Sequence, residues 1–228
     1  MSTIDDRTKL LLSSNFDKLK DFKIAVIGLG GVGSIIPLVL VRSGFLNLII
    51  DDFDTVDITN LNRQLAYDLN DLGKPKSLVI RDKIFNIRKN LNVLTLNEKI
   101  DDNFNFDLLN DCDYIIDCID DIEAKILLIK YAISNNIKIV SSLGMGNRLD
   151  STKVVITKLN KTTSDPLAKK LRYLLKKENI DISKLYVSFS LETPIIKSNI
   201  ISSMAFVPNA SGLAMASFAI MDLLNLKE

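Results

Sequence analysis

The chain has 228 residues, of which 47% are hydrophobic and 25% are charged, a composition typical of a folded globular protein. Its 29 basic and 28 acidic residues give a net charge of +1, which excludes a uniformly basic nucleic-acid-binding protein. Histidine is absent, which excludes a histidine general base, a Ser-His-Asp triad and a histidine-ligated zinc site.

Short apolar runs alternate with amphipathic segments along the first two thirds of the chain. The runs at 23–28, 46–51, 92–96, 113–117 and 137–142 predict buried strands. The segments at 33–43, 75–89, 106–109 and 122–135 predict helices. This alternation favours an α/β fold with a Rossmann-like, mostly parallel sheet and helices on both faces.

Beyond residue 143 the pattern changes. Strands are predicted at 154–159, 185–191 and 200–207, with the last two paired as a hairpin. An amphipathic helix begins at Pro166, and a closing helix covers about 210–226. We therefore expect a single domain over 1–228, with a Rossmann-like core at 1–150 and a smaller C-terminal α/β elaboration at 151–228.

Several features bear on the cellular location. The N-terminus lacks the basic segment and apolar stretch of a signal peptide, and no run approaches the roughly 18 consecutive apolar residues of a membrane helix. Cys112 and Cys118 are too few for a disulfide framework and lack the spacing of a zinc site, so we interpret them as reduced core residues. We expect a cytoplasmic protein without a membrane partner.

A glycine-rich loop follows the first predicted strand and contains four glycines, Gly28, Gly30, Gly31 and Gly33. Such a loop lets the backbone approach a phosphate closely at the start of a helix. Asp51 and Asp52 end the second predicted strand about 20 residues further on, where an acidic side chain can bind ribose hydroxyls. The pattern also fits an NAD-dependent dehydrogenase, or a tight turn that binds no ligand.

A polar run distinguishes between these interpretations of the glycine loop. It contains Asn60, Arg63 and Gln64 and is followed by Lys76, and these side chains could reach a triphosphate. Two cations can neutralise the charge that develops on the α-phosphate and on departing pyrophosphate. A dehydrogenase has no need of this run, and the sequence contains no Walker-type phosphate loop.

Five motifs in order resemble the superfamily of ubiquitin-activating and related adenylyltransferases. They are the loop 28–33, the acidic run 52–54, the run 60–64, Lys76 and the run 116–120. The resemblance implies adenylation of a carboxylate with ATP on a Rossmann-like sheet, usually in a homodimer. It implies an ATP site that includes Asp52 and Asp54, with Asp52 at the ribose.

The resemblance also assigns catalytic roles. Asn60, Arg63 and Lys76 would hold the phosphates, and Asp120 would support magnesium at the α-phosphate. Arg7 would cross the dimer interface to the ATP of the partner subunit. Its alternative interpretation is a surface arginine without a ligand.

Within the superfamily, the runs 144–152, 159–168 and 206–212 resemble the tRNA threonylcarbamoyladenosine dehydratases. That family implies ATP-dependent cyclisation of threonylcarbamoyladenosine beside the tRNA anticodon through an acyl adenylate, with release of AMP and pyrophosphate. It also implies a monovalent cation, and it leaves open a sulfur or redox partner protein. The alternative is an adenylyltransferase that activates the C-terminus of a small ubiquitin-like or sulfur-carrier protein.

The charge is divided unevenly between the two halves. Residues 1–120 carry a net charge of −5 and residues 121–228 a net charge of +6. Basic side chains surround the helix that begins at Pro166, and an exposed helix face without a partner is the alternative interpretation. With the substrate that the resemblance implies, we predict tRNA contacts at Arg148, Lys161, Lys169, Lys170, Arg172, Lys176 and Lys177.

Overall fold

The computed structural model describes residues 2–163, 165–196 and 201–226. Its strands are Lys23–Ile27 (β1), Asn47–Asp51 (β2), Asn92–Leu96 (β3), Tyr114–Asp117 (β4), Lys138–Ser142 (β5), Val154–Lys158 (β6) and Tyr186–Ser190 (β7). They form one seven-stranded sheet in the order β3-β2-β1-β4-β5-β7-β6. Every neighbouring pair is parallel except β6 and β7, which are antiparallel. The predicted α/β fold class is confirmed.

Six α-helices accompany the sheet. They are Asp6–Leu12 (α1), Ile36–Ser43 (α2), Lys76–Ile87 (α3), Ile122–Ser134 (α4), Pro166–Lys177 (α5) and Phe206–Leu223 (α6). Short 3₁₀ helices occupy Ser13–Asn15, Asp17–Lys20, Ile58–Asn60, Leu69–Asp71, Phe106–Leu109, Ser151–Lys153 and Leu159–Lys161.

The core lies on both faces of the sheet. Successive residues of a strand point to opposite faces, so Ile24 and Val26 join one apolar cluster, whereas Ala25 and Ile27 join the other. Residues of α2, α3 and α6 complete the first cluster, and residues of α4 and α5 complete the second. Because both faces are covered, the central strands are largely apolar, although Asp117 and Ser141 at their ends are buried polar residues.

The structure moves the start of one predicted helix and contains one helix that the sequence pattern did not predict. Helix α2 begins at Ile36 rather than at residue 33, because residues 31–35 form turns. Helix α1 was not predicted, since none of its residues is buried and its sequence lacks an apolar face directed to a core.

The predicted strand at 200–207 is wrong over the described part of that segment. Ile200 lies outside the described residues, 201–204 have no regular structure, and α6 begins at Phe206. The hairpin with the preceding strand is also wrong, because β7 pairs with β5 and β6 instead. Helix α6 packs closely on the glycine loop, because a Cβ on Gly212 would lie 2.2 Å from the Val32 oxygen.

Helix α6 is, by length and composition, apolar enough to cross a membrane. Its 18 residues have a mean hydropathy of 1.2, and 56% of them are buried inside the protein. A mostly buried core helix has the same composition, so this is weak evidence for a membrane segment.

The sheet has its topological switch point between β1 and β4, where the chain leaves in opposite directions from adjacent strands. Ligands of open α/β sheets bind in the crevice beyond the carboxyl ends of such strands. The glycine loop follows β1 at this edge, and Asp120 follows β4.

Candidate functional site

The glycine loop is a tight turn between β1 and α2. Gly28 has a φ of +87°, and a Cβ there would lie 2.9 Å from the Cys118 carbonyl. A Cβ on Gly33 would lie 1.9 Å from the Gly28 oxygen. Only glycine fits at these two positions, because a side chain would collide with backbone atoms.

Packing does not require glycine at positions 30 and 31. A Cβ on Gly30 would meet nothing closer than Gln64 Nε2 at 3.9 Å, and one on Gly31 would lie 3.4 Å from Pro208. Within the described residues, the backbone N–H groups of residues 30–33 have no hydrogen-bond acceptor. The loop therefore presents an open backbone with free donors, which is the arrangement that binds a phosphate.

Asp52 connects this loop to the end of β2. Its Oδ2 accepts a hydrogen bond from Leu29 N at 2.6 Å, and its Oδ1 accepts one from Asp54 N at 2.8 Å. Burial raises the pKa of this carboxyl, while the neighbouring Lys76 and the two backbone donors oppose the rise. The carboxylate has further lone pairs for a hydroxyl donor at the crevice.

Lys76 lies at the start of α3 beside these two acids. Its Nζ lies 2.8 Å from Asp54 Oδ2 and 3.9 Å from Asp52 Oδ1, and the residue is only 4% exposed. A buried ammonium requires such partners because desolvation of an unpaired charge is costly. The structure thus brings Asp52, Asp54 and Lys76 together, as the sequence suggested.

The run 58–64 folds into a capped turn above the glycine loop. Asp57 caps it, and Asn60 Oδ1 accepts a hydrogen bond from Asp57 N at 3.2 Å. Arg63 Nη1 donates to Thr59 O and to Asn62 Oδ1, both at 2.9 Å. The Arg63 stem would lie 3.5 Å from a Cβ on Gly31, so this cation borders the open part of the loop.

Gln64 lies under the same turn and is 3% exposed. Its Oε1 is buried and has no hydrogen-bond partner among the described residues. Such an unsatisfied buried atom is unusual in a folded protein. Its position beside Gly30 agrees with a site that is completed by a ligand.

Asp120 follows β4 and is exposed. It comes two residues after Cys118, whose carbonyl touches Gly28, so its loop borders the glycine loop. Among the described residues no three Cys, Asp or Glu side chains cluster to hold a metal. A metal at Asp120 would therefore need ligands from a bound nucleotide.

Arg7 is exposed on α1, away from the other candidate residues of its own subunit. Asp5, two residues earlier, pairs with Arg88 at the C-terminal end of α3. Lys76 lies at the opposite end of that helix, which has 12 residues and is therefore about 18 Å long.

The two cysteines are not poised for nucleophilic chemistry. Burial raises the pKa of the Cys112 thiol to about 12, and burial likewise raises the pKa of Cys118. Both remain protonated at neutral pH, whereas a thiolate is the reactive form.

The basic residues around α5 fall into two groups. An exposed group, here called the basic face, consists of Lys161, Lys169, Lys170, Lys176 and Lys177. The other group consists of arginines that are engaged inside the protein. Arg148 is 5% exposed, and Arg172 Nη1 donates to the Thr162 carbonyl at 3.1 Å. Arg148 is therefore buried in this structure and its tRNA contact stays a prediction, while Arg172 is partly withdrawn from the surface.

Two residues near the loop were not predicted. Tyr67 Oη donates to the Leu29 carbonyl at 2.9 Å, and Asn209 Nδ2 donates to the Arg63 carbonyl at 2.8 Å. Both fix the backbone of predicted site segments. Asn209 lies in the run 206–212, whose resemblance could have drawn attention to it, whereas Tyr67 carries no sequence signal.

Comparison with known proteins adds an independent line of observation. The sequence profile of the ThiF family matches residues 7–216. The tRNA threonylcarbamoyladenosine dehydratase of Bacillus subtilis (strain 168) is 36% identical over 231 residues, covering 91% of this chain and 89% of the relative.

Solved structures agree with this result. The crystal structure of Escherichia coli tRNA N6-threonylcarbamoyladenosine dehydratase in complex with ATP superposes with a TM-score of 0.90 and 29% identity. The same enzyme in complex with AMP gives a TM-score of 0.90 and 28% identity. In both cases the match covers 99% of this chain and 98% of the other.

Proposed function

The chain belongs to the ThiF family, and we propose that it is an enzyme that catalyses ATP-dependent dehydration of threonylcarbamoyladenosine in tRNA. The relatives that cover most of its length carry this activity in their names. The fold, the order of the motifs and the open glycine loop all support the proposal.

The observation that carries the proposal is the open loop beside paired charges. Free N–H groups at 30–33 face the crevice, while Arg63 and Lys76 supply positive charge at its border. This arrangement suits a triphosphate, whose oxygens accept hydrogen bonds and whose charge needs neutralisation. Asp52 then lies at the position for the ribose, and Asn60 and Gln64 complete the phosphate side.

The reaction proceeds in two steps, and neither step requires a nucleophile from the enzyme. The substrate carboxylate attacks the α-phosphate of ATP, forming an acyl adenylate and releasing pyrophosphate. The carbamoyl group then closes on the activated carbonyl and expels AMP, so the substrate loses one water overall. Arg63 and Lys76 stabilise the charge that develops during the first step.

Magnesium fits the proposal through Asp120. A carboxylate and phosphate oxygens are the ligands that this hard cation prefers, and it would neutralise charge on the α-phosphate. A monovalent cation, which the resemblance also implies, enters the proposal without assigned ligands. A sulfur or redox partner stays a prediction.

A homodimer forms part of the proposal. Helix α1 exposes Leu10 at 80% and Leu11 at 82% of their surface, and Ile4 nearby is 49% exposed. A second copy would cover this apolar surface and bring Arg7 to the ATP of the partner subunit. Full activity of an Arg7→Ala variant would exclude that role.

The basic face would bind the tRNA backbone, which locates the enzyme where tRNA is used, in the cytoplasm. Its five lysines are exposed and belong to the half with a net charge of +6. Lysine binds phosphates without reading sequence, so this surface would contribute affinity rather than selectivity.

The test is direct. The protein is incubated with ATP, magnesium and tRNA carrying threonylcarbamoyladenosine, and the tRNA is digested to nucleosides for mass spectrometry. A nucleoside lighter by one water, with stoichiometric AMP, is the expected result. ATP-dependent adenylation of a carrier protein alone would contradict the proposal and favour the carrier-protein adenylyltransferase.

A further inference from the structure

Arg148 is a buried cation held by three backbone carbonyls. Its Nη1 donates to Gly144 O at 2.6 Å and to Gly146 O at 3.0 Å, and its Nε donates to Glu192 O at 3.0 Å. These carbonyls belong to the segment after β5 and the segment after β7. The planar guanidinium thus ties the carboxyl ends of two neighbouring strands together.

The same guanidinium reaches the start of α5. Arg148 Nη2 lies 3.5 Å from Asp165 Oδ2, and both side chains are almost completely buried. Asp165 uses its other oxygen, Oδ1, to cap α5 by accepting from Ala168 N at 2.9 Å. Oδ2 has no hydrogen-bond partner among the described residues, so the charge of Arg148 is its main compensation.

Glu192 completes the connection from the other side. Its Oε2 accepts from Leu149 N at 3.0 Å and from Asp150 N at 2.8 Å. The loop 144–150 is therefore held at both ends, and the ion pair between Arg148 and Asp165 links it to the start of α5.

The loop 144–150 follows β5, whose neighbouring strand β4 leads to Asp120. Ser141, at the end of β5, donates to Asp117 Oδ2 at the end of β4, three residues before Asp120. Arg148 and Asp165 thus connect α5, the helix that bears Lys169 and Lys170, to the loop that follows this strand.

We propose that Arg148 is a positioning residue that fixes the basic helix α5 relative to the adenylation site. The inference rests on the proposed function. Flexible lysines would still hold tRNA phosphates if α5 shifted slightly, but the reacting carboxylate would be displaced from ATP. Displacements of about 1 Å at a reacting centre cost about 100-fold in rate.

The test compares Arg148→Gln and Asp165→Asn with the double variant. Asparagine caps helices as well as aspartate does, so Asp165→Asn removes the charge and retains the cap. Lys153→Gln, which alters an exposed cation of the same region, is the control. We expect Arg148→Gln to lower kcat about tenfold or more, with the Kd for tRNA and for ATP within about twofold of wild type.

If Arg148 acts through Asp165, the kcat of the double variant should be no lower than that of Arg148→Gln alone. A raised tRNA Kd with a smaller salt dependence would instead make Arg148 a direct tRNA ligand and overturn the inference. Equal losses of tRNA and ATP binding together with lower thermal stability would show a structural role alone, which also overturns it.

Hydrogen exchange tests the coupling without catalysis. Arg148→Gln should accelerate amide exchange in the first turn of α5 and in the loop 144–150, whereas Lys153→Gln should not. Unchanged exchange there would overturn the inference. Failure of the wild-type protein to dehydrate tRNA would overturn the proposed function, and the exchange result would still decide the coupling.

Discussion

Lys125 Nζ lies 2.7 Å from Asp117 Oδ2, and both side chains are completely buried between α4 and the sheet. Ser141 Oγ accepts from Lys125 at 3.0 Å, and Asp117 Oδ1 accepts from Ile119 N at 3.0 Å. The pair is therefore fully hydrogen-bonded, and it fixes the turn between β4 and α4 that carries Asp120.

Loss of one partner of this pair should destabilise the protein strongly. Lys125→Met leaves Asp117 as an uncompensated buried charge, which costs about 3–5 kcal/mol. Lys130→Met is the matched control in the same helix, because its ion pair with Glu178 is exposed and is worth at most about 1 kcal/mol. Urea denaturation of both variants measures the difference, and equal free energies of unfolding would contradict this assignment.

Two glycines of the loop should respond differently to alanine. The Cβ of Gly30→Ala has only an ordinary contact, with Gln64 Nε2 at 3.9 Å, so the free energy of unfolding should change by less than about 0.5 kcal/mol. ATP affinity should fall, because the Cβ would occupy the proposed phosphate position. Gly33→Ala forces a Cβ against the Gly28 oxygen and should cost about 1–3 kcal/mol or more. Thermal melts and ATP titrations separate the two effects. Unaltered ATP affinity in Gly30→Ala would argue against phosphate binding there.

Lys76→Met should slow adenylation by about 100-fold or more, since it removes a cation placed for the developing phosphate charge. Lys74→Met is the control, because Lys74 is exposed two residues earlier. Pyrophosphate release with ATP and substrate tRNA is the measurement. A rate within about threefold of wild type would exclude Lys76 from the phosphate site.

Charge reversal of the basic face should weaken tRNA binding. Lys169→Glu combined with Lys170→Glu should raise the Kd for tRNA and reduce its salt dependence, because fewer counterions are released. ATP affinity should be unchanged, since both lysines lie on α5. Unchanged tRNA affinity at low salt would leave the face without a role in RNA binding.

Asp51 should make stability depend on pH. Burial raises its pKa to about 7 in the folded protein, against 3.8 as the ordinary value. The folded state then binds more protons than the unfolded state between about pH 4 and 7, so stability is greatest at the acidic end and falls as pH rises. Asp51→Asn should remove this dependence and stabilise the protein at pH 8 by roughly 2–4 kcal/mol. Denaturant titrations at pH 5.5 and 8 check the sign, and an unaltered pH dependence would contradict it.

The sequence alone determined the order of the parallel α/β elements and the residues that converge at the crevice. Strands β1, β2, β4 and β5 are short, mainly apolar runs, and such local composition predicts burial on both faces. The glycine loop, Asp52 and Lys76 lie at the ends of elements that the topology brings to one edge of the sheet. These features depend on the local hydrophobic pattern and on the right-handed crossover connections between parallel strands.

Only the tertiary structure decided the C-terminal third. The local pattern of residues 200–207 favours a strand, yet α6 begins at Phe206 and buries much of its surface in the core, with Gly212 against the Val32 carbonyl. Arg148 looks like a surface cation in the sequence, but the distant Asp165 carboxylate and Glu192 carbonyl, together with two carbonyls of its own loop, hold it inside. Such contacts join residues far apart in the chain, and the energy of a buried charge depends on partners that no local pattern specifies.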